Sequence, residues 1–418
     1  MASLLKILTD TSCDVYVDYE YRGHAEPYKL LRLELRKGCY ILEFKYKDMI
    51  LESQDYVMPS NDEETLLKLS LADKYAAAQE LKRTLFYIAT EKLDADRLCP
   101  ESNIATHTYN ETDGKGSITF CESIIEIGEC AFFDCASLKS ITIPESVTSI
   151  GRWAFCSCTS LTSIIIPESV TEIESAAFGS CTSLISVTIP DSIAEIGECA
   201  FSGCTSLTSV IIPESVTKIG EQAFSGCVLL ASVTIPDSVK KIGSGAFEGC
   251  VSLVSITIPD SVTSIGNRAF SGCTSLTSVT IPDSVTWIGI RAFSGCTSLL
   301  SFYGKYASVD NRCLIVDNAL VAFAPASLTS YAIPDSVTSI GDSSFYDCTS
   351  LIGVTIPDSV TSIGNSAFSG CASLIGVTIP DSVTSIGNGA FFGCASLVSI
   401  TIPESVTSIA GFTFCCCI

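Results

Sequence analysis

A 23-residue unit recurs from about residue 118 to the end of this 418-residue chain, and that repetition constrains the fold more than any other feature. One clear copy is Leu276-Thr-Ser-Val-Thr-Ile-Pro-Asp-Ser-Val-Thr-Trp-Ile-Gly-Ile-Arg-Ala-Phe-Ser-Gly-Cys-Thr-Ser298. Proline marks the copies at Pro144, Pro167, Pro190, Pro213, Pro236, Pro259 and Pro282, then at Pro334, Pro357, Pro380 and Pro403. Phenylalanine keeps the same interval from Phe132 to Phe414, and cysteine from Cys135 to Cys417. A fixed period in the twenties predicts a solenoid, in which each unit buries its apolar side against its neighbours. Such a stack grows in one dimension and escapes the size limit of a globular core.

Within one unit, Leu276, Val279 and Ile281 give L-x-x-V-x-I, the apolar frame of a leucine-rich-repeat strand. Pro282 has no N–H to give, so it suits the end of a strand and the start of a turn. Val285 and Ile288 return apolar groups to the interior, Ala292-Phe293 sit in a tight helical turn, and Gly295-Cys296 lead into the next strand. Neighbouring strands are expected to be parallel and in register, about a dozen coils at ~4.8 Å each. The glycine before this turn is replaced by Glu174 and Ala410, so that column cannot demand positive φ in every coil.

The pattern L-x-x-I/V-x-I-P-x-S-V-x-x-I-G-x-x-A-F-x-x-C resembles the BspA-type (Treponema-type) leucine-rich repeats over about 300 residues. The resemblance implies a mainly β, right-handed solenoid and a surface or secreted protein that adheres to host proteins or other cells. Members of that family normally carry export signals. Here residues 1–10 hold one Lys and a short apolar patch broken by Asp10, too short for a secretory core.

Residues 1–72 read as a small antiparallel β module built from short strands, with Arg36-Lys-Gly38 as a hairpin turn. The run Val15-Tyr-Val-Asp-Tyr-Glu-Tyr-Arg-Gly23, then Pro27, then Gly38-Cys-Tyr40, resembles the PEGA-type β domain, which implies a non-catalytic module. Residues 73–97 are expected to form a helix, with Tyr75, Leu81, Leu85 and Ile88 near one face. Residues 98–117, rich in Pro, Asn and Gly, read as a linker to the solenoid at 118–418. Residues 299–333 break the period: Cys313–Val316, Asp317-Asn318 and Leu320–Phe323 predict a hairpin protruding from an enlarged coil.

Charge narrows the partners. Residues 1–115 carry 15 Lys/Arg against 21 Asp/Glu, and residues 116–418 carry 9 against 25, giving a net charge of −22. That potential disfavours nucleic acid and anionic membrane, and no apolar run has the ~20 residues of a membrane-spanning helix. The acids after each proline, from Glu145 and Glu168 to Asp381 and Glu404, form one row. Ordinary Pro-Asp-Ser turn chemistry accounts for them, while weak divalent-cation binding or a basic partner stays open. Twelve of the 22 cysteines lie on the repeat, where one per coil fits small buried groups better than metal pairs. Many free thiols favour a reducing cytoplasm, the setting of an intracellular scaffold, against the surface location that the resemblance implies.

The outward residues of the strands form a Ser/Thr lattice. One column runs Ile165, Thr188, Ile211, Thr234, Thr257, Thr280 and Tyr303, and Trp287 stands where other coils have Ser, Glu or Lys. These eight residues are the candidate protein-binding face; Thr also suits a pleated surface on its own merits. The only histidines, His24 and His107, lie outside the array, and no nucleophile elbow, phosphate loop or metal motif occurs. The sequence therefore reads as a non-catalytic protein-interaction protein that needs no cofactor.

Overall fold

A computed structural model describes residues 83–94 and 104–417, together with the strands between residues 3 and 69. The chain divides into two compact units, Met1–Thr84 with Thr119–Ser123, and Leu85–Ile118 with Ile124–Ile418.

The first unit contains two small sheets. In one, Ser3–Thr9 lies between Leu30–Leu35, antiparallel to it, and Thr65–Leu69, parallel to it. In the other, Glu20–Ala25, Cys13–Val17, Gly38–Tyr46 and Met49–Met58 run antiparallel in that order. The β module is thus observed, but it is mixed rather than purely antiparallel. Leu30–Leu35 and Gly38–Tyr46 belong to different sheets rather than pairing as a hairpin, and Arg36 and Lys37 of the expected turn lie outside the described residues. Ile7, Val15 and Leu42 are fully buried, as alternation along each strand requires.

Between the β module and the repeats, two expectations are corrected. Within the stretch expected to be a helix at 73–97, Thr84–Ala89 forms a strand, while residues 73–82 and 95–97 lie outside those described. From the stretch expected to be a linker at 98–117, the described residues 104–117 supply the strand Ile104–Tyr109 and the start of Lys115–Phe120, while residues 98–103 lie outside those described. Thr84–Ala89 pairs antiparallel with Leu138–Thr142, the strand of the first coil, and the other two extend the sheet beyond it. These strands cap the array, whose first coil would otherwise present an open edge. Gly116 makes room for the cap's packing: a Cβ there would lie 2.1 Å from the ring of buried Tyr87.

Each coil has three sides. The first wall is a parallel, in-register ladder of three- to five-residue strands, from Leu138–Thr142 through Ser209–Ile211 to Ser301–Gly304. The second wall is built from two-residue strands such as Lys241–Ile242 and Ser264–Ile265. Between the walls the proline turn closes on a Val285 N–H to Pro282 C=O bond of 3.1 Å. The following serine ties it to the preceding coil, Ser284 Oγ donating to the Val262 carbonyl at 2.7 Å.

The third side is formed of overlapping turns rather than helix. Ala269, Ser271 and Cys273 donate to carbonyls three residues back, while Arg268, Phe270 and Gly272 donate to Ile290, Ala292 and Ser294 of the next coil. That alternation forces positive φ at two positions per coil, here Arg268 (56°) and Gly272 (72°). The first of these accepts Trp153, Ala176, Cys199, Gln222 and Phe412 alike. The glycine of the I-G pair serves a different need. A Cβ on Gly266 would sit 2.4 Å from the carbonyl carbon of Gly243, so this column sets how closely the rungs approach.

The core is a column of rings. Consecutive phenylalanines from Phe132 to Phe293 lie parallel at 4.9–5.5 Å between centroids. Beside them the cysteines do more than fill space: Cys250 Sγ donates to the Phe224 carbonyl at 3.2 Å, and the same bond recurs along the array. Burial pushes the thiol of Cys227 up to about 12.

At residues 299–333 the stack is interrupted. Phe302 meets Phe293 edge-on at 71°, the first wall ends at Ser301–Gly304, and it restarts at Ser330–Ala332. The expected hairpin is present, Cys313–Val316 with Ala319–Phe323, turning at Asp317 and Asn318 with φ of 49° and 63°. It does not protrude. Ala319–Phe323 pairs parallel with Ser339–Ile340, so the hairpin is the opening part of the second wall in the next stack. Asp310 anchors this seam: Ser308 Oγ donates to it at 2.5 Å and Tyr331 Oη at 3.1 Å, while Cys313 Sγ donates to Tyr331 Oη at 3.2 Å.

Candidate protein-interaction face

The parallel register places seven of the eight candidate residues in one row on the first wall. Ile165 pairs with Thr188, Thr188 with Ile211, Ile211 with Thr234, Thr234 with Thr257, and Thr280 with Tyr303. The eighth, Trp287, lies elsewhere: it belongs to Trp287–Ile288 of the second wall. Within the row the apolar members stand out, Ile165 at 78 % exposed and Ile211 at 70 %. On a strand buried on one side only, such isoleucines gain nothing from the core, because the neighbouring Ile164 and Val210 fill it.

The row continues where the sequence reading stopped. Phe86, on the cap strand, pairs with Thr142, and Thr142 with Ile165, so an exposed aromatic begins the row that Tyr303 ends. A second apolar column runs alongside. Ile185, Val254 and Leu300 are exposed, each immediately after the buried leucine of its coil, and Ile352, Ile375 and Val398 continue the column in the second stack. The 23-residue alignment contained this signal, since the position after each leucine reads Thr, Ile, Thr, Ala, Val, Thr and Leu from Thr162 to Leu300.

The second stack differs on the same wall. Gly353 and Gly376 replace the serine column, and a shallow groove of about 430 Å³ lies over them, lined also by Thr355, Thr378 and Thr401. No Cβ contact would arise at Gly353, so its glycine leaves an open floor.

The acidic row is exposed on the proline turns, one carboxylate per coil. Among the described residues no three His, Cys, Asp or Glu side chains come together to hold a metal ion. No helix among them is long and apolar enough to cross a membrane.

The geometry defines a leucine-rich-repeat solenoid with an antiparallel cap. A profile of the BspA type leucine rich repeat region matches residues 102–231, 218–313 and 320–418, and the chain belongs to that family. Residues 1–101 fall outside this match, and the PEGA resemblance rests on sequence alone. Among solved structures, a leucine rich cell surface protein from Faecalibacterium prausnitzii is 34% identical, covering 75% of this chain and 84% of its own, with a TM-score of 0.54. A leucine-rich repeat protein from Bacteroides ovatus is 29% identical over 76% of this chain and 83% of its own, with a TM-score of 0.45. No curated protein matches the chain.

Proposed function

We propose that this is a non-catalytic, adhesin-like protein that binds proteins of a host or of neighbouring cells through the first wall. The observation that carries the reading is the row from Phe86 through Ile165 and Ile211 to Tyr303, exposed apolar groups set in a hydroxyl lattice on a backbone held rung to rung. A rigid, pre-formed row binds with little ordering cost, and aromatic and aliphatic groups supply most interface energy. The similar protein from Faecalibacterium prausnitzii is described as a cell surface protein, which supports the location. The buried thiols do not oppose it. Burial raises Cys181 and Cys296 to about 12, so the reactive thiolate is scarce and the ladder resists oxidation outside a reducing cytoplasm. Two measurements test the reading. Membrane-impermeant labelling of intact producing cells is expected to mark the protein; labelling only after lysis rejects the surface location. Adhesion of the purified chain to host cells is expected to fall in an Ile165→Asp, Ile211→Asp variant that keeps its melting temperature; unchanged adhesion rejects this face.

A further inference from the structure

The second wall holds a different surface. We propose that a notch between Lys241 and Trp287 docks an acidic peptide segment carrying an apolar side chain. Register puts three residues in one column: Lys241 pairs with Ser264, and Ser264 with Trp287. The two long side chains are exposed and the serine between them is short, so two posts flank a low floor with their rungs ~10 Å apart.

Charge selects the ligand. The repeat region carries 9 Lys/Arg against 25 Asp/Glu, yet Lys218, Lys240 and Lys241 gather on successive coils. Glu195 occupies Lys218. Among the described residues no carboxylate forms an ion pair with Lys240 or Lys241, although Asp237 and Asp260 lie on the turns beside them. Two exposed lysines free of ion pairs on neighbouring positions give an otherwise acidic array a point to which anionic groups can come. At the other post, Trp287 is 49 % exposed and Ile290, three residues on, 57 %, while among the described residues no carboxylate forms an ion pair with Arg291. Tryptophan and arginine dominate interface energies where they occur. Trp287–Ile288 is also the last strand of its sheet, so no further rung pairs with it. Carboxylates of a peptide would meet Lys240 and Lys241, and an aliphatic side chain would lie on the indole and Ile290. A carboxylated sugar would satisfy the lysines but leave Ile290 uncovered. This surface is on the second wall and the Ile165 row on the first, and neither depends on the other.

The test uses the full chain with Trp153→Phe, leaving Trp287 as the single tryptophan. A heptapeptide of six glutamates around a central leucine is titrated while indole emission is followed. Saturable binding is expected, weakened at least roughly tenfold by Lys241→Glu and by raising salt. The variant's melting temperature should match its parent's. The proposal is overturned by no saturable change, by equal binding of the lysine counterpart of the peptide, by indifference to Lys241→Glu, or by tighter binding of a uronic-acid oligosaccharide.

Discussion

The two stacks of the solenoid are written in the same repeat, yet they meet at a seam where the repeat fails. From Phe132 to Phe293 every neighbouring ring pair lies within 9° of parallel. Past residues 299–333, Phe323 meets Phe345 at 36°, and Phe345 meets Phe368 at 16° before near-parallel stacking returns at Phe368 and Phe391. The polar network of Ser308, Asp310, Cys313 and Tyr331 lies where the ring stack is broken. Order in the array is therefore inherited from the neighbouring rung, and a disturbed rung needs polar anchoring until the inheritance resumes.

That contrast can be broken by substitution. The largest effect is expected inside the first stack. Phe224→Ala removes a fully buried ring from between two parallel ones and should cost about 3–5 kcal/mol in denaturant unfolding. Phe414→Ala, with one ring neighbour and partial burial, should cost clearly less; equal costs would show that stacking between rungs does not govern stability. Gly266→Ala comes next. Its Cβ would collide with the backbone of the adjacent coil, at an expected cost of about 1–3 kcal/mol although its φ is ordinary. A change within a few tenths would mean that the rungs spread freely.

At the seam a smaller, pH-dependent effect is expected. Burial alone would raise the Asp310 carboxyl, but hydrogen bonds from Ser308, the Arg312 N–H and Tyr331 outweigh it and hold it below the ordinary carboxylate value. With its folded value depressed, Asp310 contributes stability that is fully present above the ordinary carboxylate range and is lost as pH falls through the lower folded value, so the seam should weaken in acid. Tyr331→Phe should cost about 1 kcal/mol at neutral pH and flatten this acid dependence. An unchanged acid profile in that variant would remove Tyr331 from the account.

The walls, the ring column and the outward row were legible because a residue's place in a 23-residue register fixes its neighbours above and below. The cap was not. Thr84-Leu-Phe-Tyr-Ile-Ala89 alternates buried and exposed after Thr84, but all five of those side chains are apolar, so the alternation was invisible and a helical spacing was read instead. Trp287 joins the candidate face by its exposed aromatic character alone; its column, shared with Lys218 and Lys241, belongs to the second wall. The donor role of the cysteines had no sequence signature either, since a small buried group and a thiol bonded to a carbonyl demand the same residue. The Gly353 and Gly376 groove could have been found by aligning the serine column.

The bonds between coils join residues at fixed offsets, 23 from Thr286 Oγ1 to the Thr263 carbonyl, 22 from Ser284 to Val262, and 26 from ladder thiols such as Cys273 to a phenylalanine carbonyl. Excising one whole unit within the first stack would bring equivalent donors and acceptors face to face again, whereas removing one residue fewer or more would misalign the rungs downstream. The molecule thus has an adjustable reach: gain or loss of entire copies alters how far the surface extends without asking any surviving residue to find a new partner.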